Sequence, residues 1–148
     1  MFYFDKPENI DKLSQAIKGW QGTPWMLNAR IKHRGADCSN YVAGVLVDSG
    51  ARNRILIPAH SDWYFLHTKD DVLVDGTINL GVENGDFNNP KDGDIIMYKV
   101  GKSIAHTGIY LKGTVHHSLY GMGVTDMPWL NRKWQKRKRF VFRLKDRS

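Results

Sequence analysis

The sequence holds a single cysteine, Cys38, among 148 residues. One cysteine excludes an internal disulfide and every multi-cysteine zinc site. No apolar run approaches the ~18–20 residues of a membrane-spanning helix. The Walker-type and dinucleotide-binding glycine runs are both missing, so nucleotide binding has no motif behind it. The first residues, Met1-Phe2-Tyr3-Phe4-Asp5-Lys6-Pro7, lack a basic start followed by an apolar stretch. On that reading there is no conventional signal peptide. Repeats and low-complexity linkers are lacking too, and the expected organisation is one domain over residues 1–148.

Acidic residues are scarce in one place only. From Arg132 to Ser148 nine basic residues face Asp146 alone, which gives +8; the formal charge of the whole chain is +7, so residues 1–131 sum to −1. A uniformly basic nucleic-acid surface does not fit that distribution. Two readings of the basic segment stand. It attracts anionic polymers or an acidic substrate, or it is a solvated, protein-docking helix face with Trp134 turned inward and Arg132, Lys133, Lys136, Arg137, Lys138 and Arg139 mostly outward.

What is present is an apolar pattern that changes period midway. Ile10, Leu13, Ile17 and Trp20 recur at helical spacing, with Asp5 or Asn9 as the expected cap. Cys38, Tyr41, Val42, Val45, Leu46 and Ser49 do the same, between Asp37 as N-cap and Gly50 as C′ glycine. Residues 26–37 read as a polar loop, 60–67 as a short helix and 75–93 as loops. Residues 94–98, 107–111, 114–117 and 140–144 are strand-like, with Lys112-Gly113 as a tight turn. Helices first and antiparallel strands after give an α+β class.

Cys38 falls in the first turn of its helix, where unpaired amides and the helix dipole favour a thiolate. The competing reading is a small buried hydrophobe. A thiolate catalyst needs a base, and alternation places His106, Gly108 and Tyr110 on one strand face. The return strand offers His116 to that face if the turn has three residues, and His117 if it has two. A metal site is not expected, because nothing completes tetrahedral ligand spacing.

Ala36-Asp37-Cys38-Ser39-Asn40-Tyr41-Val42 resembles the Asp-Cys-Ser-Gly-[Leu/Phe]-Val motif of the NlpC-type cell-wall cysteine peptidases, small relatives of papain. Gly22-Thr23-Pro24-Trp25, Asp92-Gly93-Asp94-Ile95-Ile96, His106-Thr107-Gly108-Ile109-Tyr110-Leu111 and Val115-His116-His117-Ser118 are similar to further motifs of that family, in family order over residues 22–118. The resemblance implies a papain-like α+β fold with N-terminal helices on a small antiparallel sheet. It implies a cysteine-type endopeptidase acting on peptidoglycan stem peptides without metal or cofactor. Cys38 would be the nucleophile, His106 the base and His116 the orienting residue, His116 being preferred to His117 because its even interval from His106 keeps the family's parity. Trp25, Asp37 and Ser39 would border the substrate. Asn40 and Trp25 depart from the family's Gly and Tyr.

The ending, from His116 through Tyr120-Gly121, Pro128-Trp129-Leu130 and Trp134 to residues 140–144, resembles bacteriophage tail-tip members. That implies a virion component, with other tail proteins as partners and neither nucleic acid nor membrane. A structural tail subunit with a vestigial site, and a papain-like amidase or acyltransferase on another amide, are the alternatives.

Overall fold

In the computed structural model, residues 1–59 and 72–147 are described; the helix expected at 60–67 lies outside them. A 3-10 turn at Tyr3–Asp5 leads into α1, Pro7–Gly19. Its N-cap is Lys6, which makes no side-chain cap bond. The capping expected of Asp5 or Asn9 is not seen: Asp5 accepts from the Phe2 amide and Asn9 donates to the Tyr3 carbonyl. Pro7 supplies the start instead, since its fixed φ suits a first helical turn.

The polar loop expected at 26–37 contains a two-residue ribbon, β1 (Arg30–Ile31) paired with β2 (Gly35–Ala36). Helix α2, Cys38–Asp48, follows with the expected boundaries. Asp37 caps it by accepting from the Asn40 amide, and Gly50 follows the C-cap at φ 81°. The stretch expected as loops holds α3 (Val72–Ile78) and β3 (Val82–Asn84). Asp75 and Gly76 weaken the local helical signal, but Val74 and Thr77 are buried, and packing outweighs propensity.

Strands β4 (Ile95–Val100), β5 (Ser103–Leu111), β6 (Thr114–Leu119), β7 (Gly123–Pro128) and β8 (Lys138–Leu144) complete a six-stranded antiparallel sheet, in the order β3-β8-β4-β5-β6-β7. A short helix α4, Arg132–Arg137, precedes β8. β7 escapes the sequence pattern because Gly, Asp and Pro punctuate it, which an edge strand tolerates.

The sheet is buried on both faces. Ile95, Met97, Ile109, Leu111, Phe142 and Leu144 join the core built with α1 and α2. Ile96, Tyr98, Val115, Met127 and Val141 pack with Trp134 of α4 on the opposite face. The basic segment is therefore partly structural. Trp134 turns inward as expected, but Lys138 does not point out: it is buried, donating to the Phe87 carbonyl and Gln135. Its ammonium lies over the Phe87 and Trp129 rings, at 4.2 and 4.5 Å from their centroids, an arrangement that compensates a buried cation. Arg143 forms a bidentate pair with buried Asp94 at 3.1 and 3.0 Å.

Candidate active site

The hairpin joining β5 to β6 fixes which histidine meets His106. Lys112 and Gly113 both have positive φ, 51° and 84°, and form a two-residue turn between paired Leu111 and Thr114. Such a turn matches strand twist. The register then runs Tyr110 opposite Val115 and Ile109 opposite His116. Val115 and His117 share the Trp134 face, while His116 projects with Ile109 toward the helix-covered face.

The His106 ring accordingly meets His117: Nε2 of His106 lies 2.8 Å from Nδ1 of His117. The preference for His116 as the ring beside His106 is not what the fold places there. The even interval assumed a three-residue turn, and the observed turn has two. Gly108 permits the close approach, since a Cβ there would lie 2.6 Å from Val115 Cγ1 and 2.9 Å from the His116 carbonyl oxygen.

His106 is 6% and His117 1% exposed. His106 also contacts the Trp134 ring, at 4.8 Å between centroids, and the Tyr98 ring at 5.9 Å. Burial, then the neighbouring His117, hold the His106 imidazole well below its ordinary pKa. Burial and His116 bring His117 down to about 4, against a smaller upward pull from Asp126. Both rings are therefore neutral at pH 7, and the shared contact needs one donor and one acceptor. If His106 Nε2–H donates to His117, its Nδ1 is left free to accept a proton.

Cys38 is the first residue of α2. The ladder between β5 and β6 stops at Ile109 and His116, and the Cys38 sulfur lies against β5 beyond that point. Its thiol donates to the carbonyl of Ala105 at 3.6 Å, and the amides of Thr107, Ser39 and Cys38 itself point at the sulfur. Ala105 and Thr107 are the residues on either side of His106, and Ala105 falls at a register shift in the β4–β5 ladder, between the pairs Tyr98–His106 and Lys99–Ile104. Cys38 keeps partial exposure, yet its thiol is turned inward. Burial first and the Asp37 charge second push it up to about 12; the three amides pull the other way. The expected lowering at a helix start is outweighed by desolvation.

Cys38 and His106 both line one cavity of about 740 Å³. Trp25, Asp37 and Ser39 line it too, but they do different things. Trp25 stands at the mouth, edge-to-face with Tyr120 at 4.8 Å between centroids. Asp37 is committed inward: one oxygen accepts from Ser39 Oγ and from the amide and side chain of Asn40, the other from the Asn28 amide. Ser39 is buried in the same cluster. Asn40, standing where the motif has glycine, also accepts from Arg30 Nε at 3.0 Å. Among the described residues no group of three or more His, Cys, Asp or Glu could hold a metal ion.

Sequence reasoning missed Tyr120, the Thr107 amide and the cavity wall supplied by Lys133, Trp134 and Arg137. Only the Lys-Gly turn carried a signal that could have selected His117.

Over residues 20–143 the chain matches the NlpC/P60 family. The chain belongs to the NlpC/P60 family. Among solved structures, the fold is similar to an NLP/P60 lipoprotein-like protein of Staphylococcus aureus Mu50, with a TM-score of 0.67 and 16% identity over 95% of this chain and 42% of that one. An NlpC/P60 family protein of Bacillus cereus ATCC 10987 gives 0.61 and 20%, over 89% and 39%. The peptidoglycan hydrolase RipB of Mycobacterium tuberculosis gives 0.56 and 21%, over 90% and 63%. The chain thus spans about two fifths of the first two proteins and under two thirds of the third. No curated protein sequence matches it. The antiparallel sheet with α1 and α2 on one face agrees with the expected α+β class and with the NlpC/P60 fold of these neighbours.

Proposed function

We propose that this NlpC/P60 domain is a cysteine endopeptidase that hydrolyses an amide bond in peptidoglycan stem peptides, with Cys38 as nucleophile, His106 as base and His117 as the residue orienting His106. The observation that carries the reading is the bracketing of Cys38 Sγ by the backbone on both sides of His106, with His106 in turn bonded to His117. RipB, which shares the fold, is a peptidoglycan hydrolase.

The resting pair is a neutral thiol and a neutral imidazole, because burial disfavours both ions. The thiol proton passes to His106 Nδ1 as sulfur attacks the peptide carbonyl. The carbonyl oxygen gains charge beside amides at the start of α2, and one such donor is typically worth about 3–4 kcal/mol of barrier. The imidazolium forming on His106 is held in place by His117 Nδ1. His106 then protonates the departing amine, and water attacks the thioester to release the acid and restore the thiol.

The setting we infer is a bacteriophage tail, acting on the bacterial envelope during wall penetration. The support is the likeness of the stretch from His116 to residue 144 to tail-tip members. A structural tail subunit with a vestigial site is the second reading, favoured by a thiol pushed up to about 12. Incubating the purified protein and a Cys38→Ala variant with peptidoglycan separates them. New amine ends from the wild type alone support the peptidase; equal inactivity of both supports the structural subunit.

A further inference from the structure

We propose that Lys133 and Arg137 form a cationic clamp on the wall of the Cys38–His106 cavity that selects peptides carrying a free carboxylate. This rests on the peptidase reading for its substrate, and on the geometry of α4 for the clamp.

Helix α4 buries Trp134 against His106. Residues four apart share a helix face, so Lys133 and Arg137 flank that ring: their charged groups lie 5.7 and 5.4 Å from its centroid. Both side chains also line the cavity. Trp134 therefore ties the two cations to the histidine site from within one short helix.

Among the described residues neither cation has an acidic partner: acidic groups are paired with Lys6, Lys32, Arg143 and Lys145. Asp37, the acidic group among the described residues of the wall, is saturated by Asn28, Ser39 and Asn40. Much of the remaining wall is apolar, with Leu46, Ile55 and Leu80 among its residues. Two cations with no acidic partner among the described residues, on a wall whose described part is largely apolar, attract an anion. A planar guanidinium beside an ammonium suits a carboxylate. Lys133 is exposed and Arg137 half-buried, and both border the cavity; Lys136, on the same helix and also exposed, is not part of the wall. The basic segment thus divides three ways: Lys138 and Arg143 serve the fold, Lys133 and Arg137 face the site, and Lys136 faces solvent.

The test uses a synthetic stem peptide with free carboxylates and its fully amidated counterpart. The wild type should favour the free-carboxylate peptide about tenfold in kcat/KM, mainly through KM. A Lys133→Gln/Arg137→Gln variant should bring the ratio close to one, while Lys136→Gln should keep it. Raising the salt should erode the wild-type preference without any substitution. Cleavage with no preference, or a preference that survives in the double variant, overturns the clamp and leaves the peptidase standing. Binding of both peptides to Cys38→Ala protein separates the two proposals. Carboxylate-selective binding without wild-type cleavage keeps the clamp and removes the peptidase; unselective binding removes the clamp.

Discussion

His106 and His117 meet at 2.8 Å across a hairpin that a one-residue change of turn length would reset. Both rings are buried and neutral, so the pair is a polar contact set in an aromatic nest with Trp134 and Tyr98.

Buried neutral histidines make stability depend on acid. The His117 pKa falls from its ordinary 6.5 to about 4 on folding, so the unfolded chain binds more protons between those values. This contribution is complete above about pH 6.5 and is lost as pH falls toward 4. Urea midpoints should drop across that window. NMR titration at pH 5.5 should show neutral His106 and His117 rings; a charged ring on either would contradict the burial argument.

The Cys38 thiol is expected to behave as a protected group in the free protein. With its pKa pushed up to about 12, alkylation by iodoacetamide should be slow at pH 7 and keep rising beyond pH 10. A low-pH plateau of reactivity would indicate a resting thiolate–imidazolium pair and overturn the neutral ground state.

Gly44 locks α2, and with it Cys38, against α1. A Cβ at Gly44 would lie 2.3 Å from Trp20 Cζ2, and Trp20 is buried with its indole N–H donating to Asp48 at 2.9 Å. Gly44→Ala therefore costs about 1–3 kcal/mol of overpacking, more than the ~1 kcal/mol that alanine returns in helix propensity. Denaturant unfolding should show a net loss of stability; a gain would mean that Trp20 moves aside freely.

The features legible in the sequence are those written in local patterns. The α2 stripe, its Asp37 cap and Gly50 stop, the Lys112-Gly113 turn and four of the strands all follow from spacing and turn chemistry. The positions of Cys38 at a helix start and of His106 on a strand were legible too. The ring that meets His106 was not, because His116 and His117 are adjacent and only turn length separates them. Lys138 was misread because charge predicts exposure, whereas here Phe87, Trp129 and Gln135 enclose the ammonium. The raised Cys38 pKa was hidden for a related reason: a helix start is visible in sequence, and the burial that opposes it is not.

The central claim is a site made of Cys38, His106 and His117, and the most direct measurement compares His116→Ala with His117→Ala in hydrolysis of a stem peptide. His117→Ala should lower kcat/KM by about a hundredfold or more, as removal of an orienting group does. His116→Ala, whose side chain lies on the other sheet face, should stay within about threefold of the wild type. The reverse order, or equal and small effects from both, would contradict the account.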